Sequence, residues 1–304
     1  MSALQLYKRS ALRLPRDHIA LCCRCVSSYG DASKQQKALP TPTILHSSNH
    51  LLAINKPAGW QSVPNNDDEP NNPKCLLTYL KDAKKGGGSD SRFLMPLHRL
   101  DQPVTGLILL GKTSKAASRV QTAWKKVEKD YICVLEDPDK LNVLQEQSTP
   151  LNDGWMRLSG YMLQQRRPPR DNHKFMGWSV QMVPSPDDGM SPPPDSKHCS
   201  LQWKLVSKAS HPVPILQVQT DQGARHMIRA LLASVGGAKI AGDVRYGASR
   251  SLSDHSVALH ARRLQLPPEL KLGQELQRDF SAPIPQTWDA YFEVSEKDIH
   301  KWLK

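Results

Sequence analysis

The sequence predicts an α+β fold, and three observations carry the prediction. Short apolar runs bounded by turn residues recur at Leu51-Leu52-Ala53-Ile54, Leu107-Ile108-Leu109-Leu110, Ile132-Cys133-Val134-Leu135 and Ile215-Leu216-Gln217-Val218. They have the length of buried strands, not of helices. Two longer segments, near residues 113–127 and 225–236, carry apolar residues at helical spacing instead. No repeat of fixed period runs through the chain, so a solenoid or propeller is not indicated.

Taken in order, residues 31–43 are polar and punctuated by Pro, a linker, and the fold proper starts near Thr43. The run at 51–54 ends in Asn55-Lys56-Pro57-Ala58-Gly59, a turn that stops the strand and presents Lys56. Residues 65–73 are acidic and turn-rich, residues 75–80 have room for one or two helical turns, and Gly86-Gly87-Gly88 marks a flexible loop. The stretch His98-Arg99-Leu100-Asp101-Gln102-Pro103-Val104-Thr105-Gly106 is a turn that feeds the strand at 107–110. It leaves Asp101 at the mouth of a sheet, although an Asp before a Pro-containing turn, taken alone, is a simple turn former. Thr113-Ser114 offers an N-cap to a helix with Ala116, Ala117, Val120, Ala123, Trp124 and Val127 on one face. The other face carries Lys115, Arg119, Lys125, Lys126 and Lys129, either solvated or turned toward phosphate.

After a strand at 130–135, prolines crowd residues 166–214 and predict a surface excursion, with a Pro-rich insertion at about 166–199. Arg166-Arg167-Pro168-Pro169-Arg170 within it is a compact basic cluster. Residues 200–206 return to the sheet, 214–220 form a strand, and Asp221-Gln222-Gly223 a turn. A helix over 225–236 follows, with Ile228, Leu231, Leu232 and Val235 on one face and Gly236 suited to its C-cap. Arg225 and Arg229, four apart, share a face near its start. Residues 242–247 form a tight turn, and Ala258-Leu259-His260-Ala261 with Leu264 and Leu266 a final strand.

The formal charge is +12, and a basic balance of this size points to a polyanionic partner. Lys8, Arg9, Arg13, Arg16 and Arg24 against Asp17 alone give the first 30 residues +4, which leaves +8 on the body. That opening segment is Arg-rich and nearly free of acids, as a mitochondrial transit peptide is, with processing expected near residues 26–30; a cytoplasmic or plastid location is the alternative. No run of 18 apolar residues is present to cross a membrane. Of the six cysteines, Cys22, Cys23 and Cys25 lie in the opening segment and Cys75, Cys133 and Cys199 are scattered without C-x-x-C spacing, so neither a zinc site nor a disulfide framework is indicated. P-loop and G-x-G-x-x-G motifs are absent, and nucleotide cofactors have no support.

Six segments in order resemble the RluA-type pseudouridine synthases: Asn55 to Gly59, His98 to Asp101, Lys129-Asp130-Tyr131, Gly223 to Arg229, Gly242 to Gly247 and Leu259-His260-Ala261. The resemblance spans roughly residues 44–266. It implies a central, mostly antiparallel sheet flanked by helices, with an active cleft across its middle, in a catalytic domain over 44–304. The implied activity is isomerisation of uridine to pseudouridine in rRNA or tRNA by a monomer, without cofactor or metal. Asp101 matches the family's essential aspartate, Tyr131 the aromatic that stacks on the target base, and Arg229 the salt-bridge partner of the aspartate. Arg99 is expected to help expel the target nucleotide, which must leave its stack at some energetic cost. Lys56 and Arg225 complete the substrate-binding set, Lys56 by supporting the pocket or touching phosphate. His98 and His260 read as packing or hydrogen-bonding residues. Ala224 replaces the motif's usual arginine and Met227 its usual glutamine, which opens the alternative of a weak or inactive RNA-binding or ribosome-assembly factor on the same fold. No separate RNA-binding module is expected in the N-terminal segment, so target choice falls to the catalytic domain and its insertions.

Overall fold

The structure, a computed structural model, describes residues 39–64, 74–85, 93–167, 177–185, 191–272 and 277–303. The Arg-rich opening segment, most of the expected linker, the acidic stretch at 65–73, the triple glycine and the side chains of the basic cluster at 166–170 lie outside the described residues.

Twelve strands are described: β1 (Thr43–Ser47), β2 (Leu51–Lys56), β3 (Met95–Pro96), β4 (Thr105–Gly111), β5 (Glu128–Val134), β6 (Thr149–Pro150), β7 (Met156–Arg167), β8 (Gly177–Pro184), β9 (Ser196–Leu205), β10 (Ile215–Gln219), β11 (Leu259–Gln265) and β12 (Asp279–Ser281). Six helices accompany them: α1 (Leu76–Lys85), α2 (Ser114–Thr122), α3 (Lys140–Glu146), α4 (Met227–Ser234), α5 (Thr287–Phe292) and α6 (Glu296–Trp302). The strands form one sheet in the order β1-β2-β4-β11-β5-β10-β9-β7-β6, with β3 beside β4, β8 beside β7 and β12 beside β11. Neighbours run antiparallel except β4 and β11, which pair in parallel through Thr105 with His260 and Gly106 with Ala261. The expected mostly antiparallel α+β sheet is what forms.

β4 sits near the middle because its sequence allows nothing else. All seven residues of TGLILLG are buried, so both faces must be covered. Ile108 and Leu110 point into the core shared with Leu231 and Leu232 of α4, while Leu107 and Leu109 meet Ala116, Ala117 and Val120 of α2. At the parallel seam Gly106 has φ +115°, and a Cβ there would lie 2.4 Å from the Ala261 carbonyl oxygen. Only glycine fits such a left-handed position against another backbone.

Several elements differ from expectation for identifiable reasons. α2 stops at Thr122, because Val127 is drawn extended into the α2 core and the chain turns through Trp124–Lys126 to enter β5. α4 begins at Met227, since His226 in front of it is left-handed (φ 58°), so Arg225 precedes the helix and does not share a face with Arg229. Its C-cap is Val235, and the left-handed position beyond falls on Gly237, not Gly236. The Pro-rich stretch is no mere excursion: β8 and β9 both pair with β7, and the prolines among its described residues fall at strand ends and connections, where a missing N–H is tolerated. Leu39 packs on the core and Trp60 Nε1 donates to the Pro40 carbonyl at 2.8 Å, so the domain's ordered packing starts ahead of the linker boundary at 43. β11 is not the last strand, because β12 pairs with it, and α5 and α6 then bring buried Trp288 and Ile299 to the core. α6 opens with a Ser295/Asp298 capping box, a sequence signal for a helix start.

Candidate active site

Asp101 lies on the loop entering β4, and that loop is held from several sides. Lys56, the last residue of β2, is fully buried, and its Nζ donates to the carbonyls of Pro57 (3.0 Å), Trp60 (3.0 Å) and Gln102 (3.2 Å). Ser62 Oγ donates to the Leu100 carbonyl (2.7 Å) and accepts from the Leu100 N–H (3.0 Å). Burial lowers the Lys56 pKa to about 7, opposed by the nearby charge of Asp101. The turn therefore does not present Lys56, as the sequence suggested; its ammonium faces inward and ties the 57–60 loop to the Asp101 loop instead of reaching a phosphate. His98 and His260 have the packing roles expected. His98 Nε2 accepts from the Leu109 N–H at 3.0 Å and its ring stacks on Trp124, while His260 Nδ1 and Thr105 Oγ1 are 2.9 Å apart across the seam. Burial pulls both imidazoles down to about 3, so they are neutral at ordinary pH.

The structure brings Arg229 to Asp101. Arg229 Nη1 donates to Asp101 Oδ2 at 2.8 Å, and its Nε and Nη2 both donate to Asp243 at 2.7 Å. Arg229 is 3% exposed and Asp243 1%, so this fork lies in the interior, where an unpaired guanidinium would be severely destabilising. Burial works against the Arg229 charge, but the hydrogen bonds and charge of Asp243, then of Asp101, outweigh it and push its pKa up. Asp243 was not singled out from the sequence, although it lies in the Gly242 to Gly247 segment. The signal was available: Arg229 follows Ile228 directly in a helix rich in apolar residues, and a guanidinium drawn into such surroundings needs more than one carboxylate partner.

His226 and Tyr246 complete the surroundings of Asp101. Tyr246 Oη lies 3.0 Å from His226 Nδ1, and His226 Nε2 stands 3.6 Å from Asp101 Oδ1. Burial, opposed by Asp101 and reinforced by Arg229, Arg245 and Arg225, lowers the His226 pKa to about 4. The imidazole is neutral, so the 3.6 Å approach is a dipolar contact and not a salt bridge; in the tautomer protonated on Nε2, the Tyr246 hydroxyl donates to Nδ1 and the Nε2 proton faces Asp101. Tyr246 also lies against the Arg229 guanidinium, 5.3 Å from ring centroid to Cζ. The left-handed His226 is what points this ring back at the carboxylate.

Tyr131, on β5, lines a cleft of about 70 Å³ together with Asp101, Arg99, Val104, Gln222 and Leu259. Burial, and then the charge of Asp101, push the Tyr131 hydroxyl up to about 12. Ala224 and Met227 form the cleft's wall where the motif's polar residues would stand. On its other side Asp101 borders a second hollow of about 270 Å³, lined by Arg99, Arg225, Arg229 and Arg245. Arg99 and Arg225 are exposed at this cationic mouth. A flat, anion-bearing ligand is what such a site suits: an apolar slot with one carboxylate oxygen, Oδ1, left toward it, and guanidinium groups outside. Among the described residues no cluster of three His, Cys, Asp or Glu side chains could hold a metal ion, and no helix is long and apolar enough to cross a membrane.

Comparison with known proteins places the chain in a family. Residues 50–234 match the family model of RNA pseudouridylate synthases. The chain is 25% identical over 224 residues to the RNA pseudouridine synthase YhcT of Bacillus subtilis, covering 73% of this chain and 63% of that protein, so it spans less than two thirds of that relative. It is 25% identical over 266 residues to the ribosomal large subunit pseudouridine synthase C of Rickettsia prowazekii, covering 84% and 73%. Over 80 residues, 26% of this chain and 32% of the relative, it is 36% identical to the dual-specificity RNA pseudouridine synthase RluA of Haemophilus influenzae. Its fold superimposes on human RNA pseudouridylate synthase domain containing 4 with a TM-score of 0.57 at 21% identity, over 86% of this chain and 92% of that one. With the family model covering more than half its length, and with RluA-type relatives on both short and long matches, the chain belongs to the RluA-type RNA pseudouridine synthase family.

Proposed function

We propose that the protein isomerises uridine in RNA to pseudouridine, with Asp101 as the group that opens the glycosidic bond. One observation carries the reading: the buried chain Asp243–Arg229–Asp101 holds a single carboxylate edge at an apolar slot that also contains Tyr131. In the net reaction the N1–C1′ bond breaks, the uracil turns, C5 bonds to C1′, C5 loses its proton and N1 gains one. Asp101 Oδ1 acts first, as nucleophile at the ribose or as base. Arg229 keeps the carboxylate oriented, because its fork is fixed from behind by Asp243. Tyr131 stacks on the uracil; with its hydroxyl pushed up to about 12, the phenolate fraction at pH 7 is on the order of 10⁻⁵, so it serves as a neutral phenol. Arg99 and Arg225 at the mouth take the phosphates of the flipped nucleotide.

The reading extends to an rRNA or tRNA substrate in mitochondria, supported by the Arg-rich first 30 residues and the +8 body. Purified protein incubated with mitochondrial rRNA or tRNA should yield pseudouridine, read by mass spectrometry of the digested RNA, and Asp101→Asn should yield none. Product from the Asn variant at the wild-type rate would refute the assignment. Ala224 and Met227 in the cleft wall favour a second reading, an RNA-binding or assembly factor without turnover. That reading gains if wild-type protein binds these RNAs but forms no pseudouridine.

A further inference from the structure

The geometry points to a second RNA contact away from the cleft: the open face of β7, β9 and β10 is a track for single-stranded RNA flanking the target nucleotide. This inference rests on RNA being the substrate. Paired residues of antiparallel neighbours share a face, and the register pairs Arg157 with Gln202, Ser159 with Ser200 and Tyr161 with His198. All six are polar or amphipathic and none is fully buried, while the intervening Leu158, Cys199, Leu201 and Trp203 face the core. One face of these strands is therefore closed by α4, and the other offers a ladder of hydrogen-bonding groups. The ladder ends in two rings, Tyr161 and His198, set edge-on with centroids 5.3 Å apart.

The same face borders a groove of about 580 Å³, whose opposite wall is Lys125 and Lys126 at the end of the α2 segment. Lys125, Lys126, Arg157 and His198 are exposed, and Lys126 holds Glu269 at 2.7 Å. Glu128 and Asp221 also line it, so the groove is cationic mainly at its Lys125 and Arg157 sides. Thr220, buried at the end of β10, lines both this groove and the Asp101 cleft, which lie on opposite faces of the sheet, so a strand leaving the cleft reaches the groove by turning around the end of β10. An open polar sheet face with stackable rings and a basic rim fits a single strand, whose bases stack and whose phosphates meet cations, better than a duplex.

Fluorescence anisotropy with 5′-fluorescein-labelled U20 tests this at several salt concentrations. The Lys125→Gln/Arg157→Gln double variant should lower the slope of log affinity against log salt by about 1.4, two contacts at about 0.7 each, which is about 25-fold per decade of salt. Tyr161→Ala/His198→Ala should weaken U20 binding roughly five- to hundredfold per stacked base with the slope unchanged. Circular dichroism and melting confirm that these surface variants fold. Wild-type affinity and slope in both variants, or no binding of U20 by the wild type, would overturn the proposal. Pseudouridine formation is scored separately: loss of U20 binding in the variants, with no product from any wild-type reaction, upholds the track while refuting the proposed activity.

Discussion

The Asp243–Arg229 fork gives the sharpest test of how the site is built. Asp243→Asn keeps the shape of the side chain but removes its charge and one of two 2.7 Å acceptors, in a residue that is 1% exposed. The guanidinium is left buried with Asp101 as its only remaining charged partner among the described groups that contact it. Breaking one side of a buried ion pair typically destabilises by about 3–5 kcal/mol. That is a large fraction of the roughly 5–15 kcal/mol stability of a typical domain. At about 2–4 °C per kcal/mol for a domain of this size, melting should fall by roughly 6–20 °C. Thermal melts and urea titrations at pH 7.5 read the loss. The double variant Asp243→Asn/Arg229→Met should recover a good part of it, since the stranded charge is gone, yet remain inactive because Asp101 has lost its clamp. A melting drop below 2 °C in Asp243→Asn would refute the claim that Asp243 neutralises Arg229 in the interior.

Three further outcomes follow from the same geometry. Lys56 should titrate near pH 7 by NMR of its Cε, and Asp101→Asn should move it lower, because Asp101 favours the charged ammonium; an unchanged titration would sink the coupling. Since the folded-state value lies below the ordinary 10.5, the unfolded chain binds more protons between about pH 7 and 10.5, so this group makes stability rise with pH across that window, by at most about 5 kcal/mol. Gly106→Ala should destabilise by about 3 kcal/mol or more, with insoluble or unfolded protein as the readout, because the φ of +115° and the Ala261 backbone leave no space for a Cβ. Tyr131→Phe should lower turnover by a factor that is constant between pH 6 and 9; a wild-type rate rising tenfold per pH unit toward alkaline pH would instead assign the phenolate as a base.

β2, β4, β5, β10 and β11 and the helices α2 and α4 were legible because their apolar periods were clean. β4 is an unbroken apolar run after a Pro and Gly turn, and the burial of all its residues follows directly. The meeting of Asp101 with Arg229 was legible only through family motifs, because 128 residues separate them and no local pattern encodes such a distance. Asp243, His226 and Tyr246 escaped for a related reason: their roles come from where the chain folds back, and His226 acts through an unusual left-handed backbone. Lys56 was misread as presented because a turn after a strand ordinarily exposes its residues, whereas three carbonyls converge here to receive the ammonium. The Pro-rich stretch misled because proline forbids only the interior of a sheet ladder and leaves its ends free.

The parallel seam between β4 and β11 sets the order in which the protein can come to life during synthesis. β4 and β5 emerge from the ribosome early, yet the strand that belongs between them is β11, whose His260 meets Thr105 across 155 residues of sequence. Until β11 arrives, β4 and β5 each lack a neighbour at the centre of the future sheet, and the carboxylate loop has no floor. Contacts this distant close late and slowly, and the exposed strand edges are a point at which a chaperone or a premature pairing would intervene. On the proposed activity, competence for chemistry is thus a last-formed property of the chain, and a nascent protein already carrying Asp101 would be inert until nearly all the described residues had been made.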